Sequence, residues 1–167
     1  YAHFIQEKNL QILQAPLISK GTLWIDKEYG VMWSITEPIQ STLIINKHGM
    51  VNSPQQNSRI NHAMQYIGET LEKLLSGNLT ALEDAFSIEA SLNSNAMDSD
   101  NISWKANLTP RSSLMRKAIS SIDLEGDQHV NVITLHEAGG DNTLIKLENI
   151  ESPDSLPEEI MHALGTP

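Results

Sequence analysis

Gly21-Thr-Leu-Trp-Ile-Asp-Lys-Glu-Tyr-Gly-Val-Met-Trp-Ser-Ile-Thr-Glu-Pro38 reads as two extended segments joined by a short polar turn, each carrying a tryptophan. Strand side chains alternate between faces, so Leu23 and Ile25 fall on one side and Trp24 on the other. After the turn, Val31, Trp33 and Ile35 share a face and Met32 opposes them. Both faces are partly apolar, whereas an antiparallel strand with one solvated side alternates cleanly. Something has to cover the second face: helices, a second sheet or an apolar ligand.

Working outward, Phe4 and Gln6 alternate with Ile5 and Glu7, and apolar positions continue through Leu10, Ile12 and Leu13 to the break at Ala15-Pro16. A helix with Ile5, Asn9, Ile12 and Leu13 on one face is the rival reading. Thr42 to Asn46 is a β-branched run with the look of a buried strand, and Asn52 to Ser58 reads as a loop. From Ile60 the period changes. Ile60, Met64, Ile67, Leu71, Leu74 and Leu75 form one helical stripe that Gly77 can end.

A second short helix is predicted with Thr80 and Glu83 as a capping box. The rest reads as a meander, with strands at 86–90, 104–109, 119–124, 130–135 and 143–147 and a turn at Gly139-Gly140-Asp141-Asn142. The fold class is mainly β with α: a strongly curved antiparallel sheet, a half-open and incomplete β-barrel, covered by a helical lid.

At 167 residues the chain fits a single domain spanning 1–167. A formal net charge of −10 disfavours nucleic acid and anionic lipid surfaces. There are no cysteines, so disulfides and cysteine-held zinc are excluded. No apolar run reaches the roughly 20 residues that span a bilayer. Tyr1 opens almost directly onto the Phe4 strand, and the expectation is that a leader, with or without a short helix, precedes it in the gene.

Catalytic chemistry finds no foothold. The six histidines, at 3, 48, 62, 129, 136 and 162, lack metal-ligand spacing. His136-Glu137 beside Gly139-Gly140-Asp141 is better read as a hairpin end. Asp98-Ser-Asp-Asn101 lacks the glycine and distant glutamate of a calcium loop. Asn78-Leu-Thr, Asn101-Ile-Ser and Asn107-Leu-Thr match a glycosylation tripeptide that arises often by chance. No nucleophile elbow, phosphate loop, dinucleotide fingerprint or His-Glu-x-x-His sequence occurs. The expectation is a protein that is not an enzyme and needs no cofactor or metal.

Apolar residues remain: Trp24, Met32, Trp33, Leu43, Ile45, Met64, Ile67 and Leu71 are candidates for a cavity between sheet and helix. Taken alone, they fit a closed core better. The order of several weak motifs adds a second consideration. A Phe4-Ile-Gln-Glu strand, a glycine entry at Gly21, Trp33 ahead of Thr36-Glu-Pro38, the strand Leu43-Ile-Ile45, Gly77 and Phe86 around a short helix, Trp104-x-x-x-Leu108-x-Pro110 and the Gly139–Thr143 turn together resemble the periplasmic outer-membrane lipoprotein carrier family LolA, in a divergent branch.

The resemblance implies a monomeric periplasmic carrier of a Gram-negative bacterium. Such a carrier would take acyl chains of lipoproteins or other lipids from an inner-membrane releasing complex to an outer-membrane receptor. It implies that the eight apolar residues line the site. It also implies that Lys27, a few positions before Trp33, stands where the family has an arginine latching the lid helices. Lysine lacks that residue's planar fork. Each methylene removed from water is worth about 0.8 kcal/mol, so a chain of about fifteen gains roughly 12 kcal/mol and will not cross water unaided. Two readings from other classes stand beside this one: an interaction module with a closed core, and an outer-membrane-anchored receptor of the same fold.

Overall fold

Asp26 sets the turn of the tryptophan hairpin. Its Oδ1 accepts hydrogen bonds from the backbone N–H of Glu28 at 2.8 Å and of Tyr29 at 2.9 Å, an aspartate-driven turn. Gly30 then takes φ of 112°, which only glycine adopts without strain, and a side chain there would collide with the carbonyl oxygen of Ile45.

The computed structural model describes residues 1–46, 49–52, 79–94 and 102–165. Among the described residues there are ten strands: β1 (Ala2–Asn9), β2 (Leu17–Asp26), β3 (Gly30–Glu37), β4 (Ser41–Asn46), β5 (Gly49–Asn52), β6 (Phe86–Ser94), β7 (Ile102–Pro110), β8 (Ile119–Gly126), β9 (Val130–Glu137) and β10 (Asn142–Glu148). The described residues also hold two helices, α1 (Leu79–Ala85) and α2 (Glu158–Gly165), and a 3-10 turn at Met115–Lys117. The strand order, β5-β4-β3-β2-β1-β10-β9-β8-β7-β6, has two ends. As expected, the chain is mainly β, and its antiparallel sheet is not closed into a barrel. The predicted helix from Ile60 to Leu75 lies outside the described residues.

Two compact units emerge. The first comprises residues 1–4, 19–82 and 149–167. In it β2 pairs with β3, β3 with β4 and β4 with β5, all antiparallel. Leu23 lies opposite Trp33 and Trp33 opposite Leu43, while Trp24 faces Met32 and Met32 faces Ile44. α2 packs on β3 and β4.

The second unit comprises residues 5–18 and 83–148. Its strands β6 to β10 form an antiparallel meander with Leu108, Ile122 and Leu135 in one row across β7, β8 and β9. That row is buried, and so are Phe86, Ile133 and Ile145. The opposite face is charged: Lys105 pairs with Glu125 at 2.8 Å, and Asp123 accepts from Asn107 Nδ2 at 2.6 Å and meets His136 Nε2 at 2.8 Å. Arg111 caps the end of α1, donating through Nε to the carbonyls of Glu83 and Phe86.

Several boundaries differ from the sequence reading. β1 stops at Asn9 rather than running to Leu13, because Leu13 N–H turns back to the carbonyl of Leu10. β6 continues past Ala90 to Ser94, paired with β7 along its whole length. α1 includes Thr80 instead of starting after it. β5 and α2 were not predicted.

Candidate functional site

The first unit carries one face that is apolar and buried. Leu23, Val31, Trp33, Leu43 and Ile45 are all buried there, brought into rows by the register of β2, β3 and β4. The Phe4 ring lies against Trp33, centroids 4.2 Å apart and planes tilted by 34°. Glycine at 21 makes this possible, since a side chain there would occupy the space of the Phe4 ring. Trp33 is only 3% exposed, and its Nε1–H has no hydrogen-bond partner among the described residues. A buried donor without an acceptor costs about 1–3 kcal/mol.

The opposite face of the same strands carries Trp24 and Met32, and part of the chain's own tail covers it. The Tyr1 ring packs on Trp24 at 4.4 Å. Asn46, on the same side of β4 as Ile44, donates through Nδ2 to the carbonyl of Leu164 at 2.7 Å, which places α2 over this side. Tyr1 and Glu151 exchange two backbone bonds, amino group to Glu151 O at 2.8 Å and Glu151 N–H to Tyr1 O at 2.9 Å. A recess of about 200 Å³ remains, walled by Tyr1, Trp24, Asp26 and the segment Glu151 to Leu156.

The predicted cavity is therefore divided. Trp33, Leu43 and Ile45 share one face, while Trp24 and Met32 belong to the other, because a strand cannot turn neighbouring side chains to one side. Met64, Ile67 and Leu71 lie outside the described residues. Lys27 is exposed in the Asp26–Gly30 turn.

The outer membrane lipoprotein carrier protein LolA family model matches residues 1–161. The chain belongs to the LolA family. Comparison with curated proteins gives no match. Among solved structures, the LolA superfamily protein NE2245 from Nitrosomonas europaea is similar, with a TM-score of 0.46 and 10% identity over 96% of this chain and 88% of that one.

In this LolA-family chain the second unit holds an apolar face that the sequence reading left out of the site. Along β6 its cover thins: Phe86 is buried, Ile88 is 36% exposed and Leu92 is 74% exposed. Leu92 stands opposite Trp104, whose Nε1 donates to the carbonyl of Asp127 at 2.8 Å. The period-two spacing of Phe86, Ile88, Ala90 and Leu92 was the available signal. On the charged side an open groove of about 540 Å³ runs past Glu89, Lys105, Asn107, Asp123 and Glu125. Among the described residues no cluster of metal-ligating side chains occurs, and His136 serves a surface pair with Asp123.

Proposed function

We propose that this chain is a periplasmic carrier that shields acyl chains of lipoproteins, or of other lipids, between an inner-membrane releasing complex and an outer-membrane receptor. The observation that carries the reading is Trp33. It is a large buried side chain on an apolar sheet face, with an N–H donor unused among the described residues, in a chain matched over most of its length by a lipoprotein-carrier family. An acyl chain brings aliphatic length, worth about 0.8 kcal/mol per methylene removed from water, and a carbonyl that an indole N–H can meet.

The work is non-covalent, and no catalytic group is required. Trp33, Leu43 and Ile45 form the sheet side of the site. Lys27 latches the helical cover, and release follows a shift in the population of the closed form. The acidic character of the chain, net −10, keeps the loaded carrier off anionic headgroups.

Native mass spectrometry after gentle purification tests the reading. A carrier retains lipid or detergent in adducts of fatty-acyl mass, and brominated acyl chains quench Trp33 fluorescence relative to a Trp33→Phe control. The near-complete burial of Phe4, Leu23 and Val31 favours a second reading, an interaction module with a dry core. A clean apo mass and unquenched Trp33 would establish that one instead.

A further inference from the structure

The loop between β1 and β2 breaks the usual rule for exposed connections. From Gln11 through the loop to Ile18, the second residue of β2, every residue is exposed, and four of them are large aliphatics: Ile12 at 89% and Leu13 at 45% exposure on the loop, Leu17 at 50% and Ile18 at 53% at the start of β2. Scattered surface aliphatics need no explanation, but four within seven residues, two on the loop and two opening β2, do. The loop is also held at its base. Gln11 N–H donates to Asp141 Oδ1 and Gln11 Nε2 to the carbonyl of Gly139, both at 2.9 Å, and the Leu13 to Leu10 turn closes it at 2.9 Å.

Charge narrows what the loop can meet. No charged residue occurs from Asn9 to Ser19 in a chain whose net charge is −10. The lysines on either side are already matched, Lys8 by Glu137 at 2.9 Å and Lys20 by Glu37 at 3.5 Å. The loop also lacks Arg, a side chain that anchors protein interfaces. What it offers is non-directional aliphatic area on a neutral tip, which suits the boundary region of a zwitterionic bilayer.

We propose that the β1–β2 loop inserts Ile12 and Leu13, flanked by Leu17 and Ile18, into the headgroup and acyl boundary of a lipid bilayer, docking the protein there transiently and in one orientation. The proposal needs no lipid on the buried faces and stands apart from the cargo reading.

Because the chain has no cysteine, Ile12→Cys can carry a single polarity-sensitive fluorophore, with the exposed Ser87→Cys on β6 as control. With phosphatidylcholine vesicles the label at 12 shifts to the blue and brightens, and the label at 87 does not. The double variant Ile12→Ser/Leu13→Ser keeps its melting temperature and partitions to vesicles roughly tenfold or more weakly. An unchanged spectrum at 12, or equal shifts at 12 and 87, overturns the proposal, the first leaving a protein partner as the loop's occupant and the second marking non-specific adsorption.

Discussion

The Phe4 ring reaches Trp33 by passing over the bare backbone of Gly21, so that strands far apart in sequence share one aromatic pair with centroids 4.2 Å apart. A methyl group at 21 would meet the carbonyl oxygen of Ser34 and come within 2.7 Å of Phe4 Cζ. Backbone on one side and a packed ring on the other leave no easy escape. Gly21→Ala is expected to destabilise the protein by about 2 kcal/mol, read from urea unfolding, with Phe4→Leu recovering part of the loss.

Trp33 separates packing from hydrogen bonding. Trp33→Ala removes a buried ring and is expected to cost about 3–5 kcal/mol. Trp33→Phe keeps most of the area and deletes an N–H that has no acceptor among the described residues, so stability should change by less than about 1.5 kcal/mol. Under the carrier reading Trp33→Phe nevertheless weakens acyl binding. Chemical denaturation and a fluorescent fatty-acid titration on the same samples check both halves.

Asn46 ties α2 to the sheet. Removing the amide with Asn46→Ala strands the Leu164 carbonyl, whose partner at 2.7 Å is lost, and about 1–2 kcal/mol of stability should go with it. The loss should be local first. Hydrogen exchange in α2 is expected to accelerate before exchange in β3 and β4 does.

Lys27 stands exposed at the hairpin turn, so Lys27→Leu should leave the melting temperature nearly unchanged, as surface substitutions usually do. If it latches a helical cover, the same variant changes the rate of lipid transfer between donor and acceptor vesicles. Transfer at the wild-type rate would remove Lys27 from the mechanism.

The hairpin was legible because Asp26, Gly30 and the two alternating apolar runs are local signals that nothing distant overrides. The site was less legible. Trp24 and Met32 were grouped with Trp33, Leu43 and Ile45 on hydrophobicity, although the even and odd numbering along β2 and β3 already assigned them to opposite faces. α2 was missed despite Pro157 at its start and Glu158 and Glu159 in its first turn, the pattern that complements a helix N-terminus. β5 offers only Gly49-Met-Val-Asn52, too short to show a period. Beyond the end of β1 the aliphatics Ile12 and Leu13 mimicked a continuing strand. Periodicity cannot reveal that an apolar side chain will be left facing water.

The reciprocal backbone bonds of Tyr1 and Glu151, with α2 packed on β3 and β4, make the segment after β10 a fastening as well as a cover. A protease nick near Asn149 would loosen it and bare the indole of Trp24 and the thioether of Met32 together. A clipped preparation should then turn cloudy on concentration while the intact one stays clear.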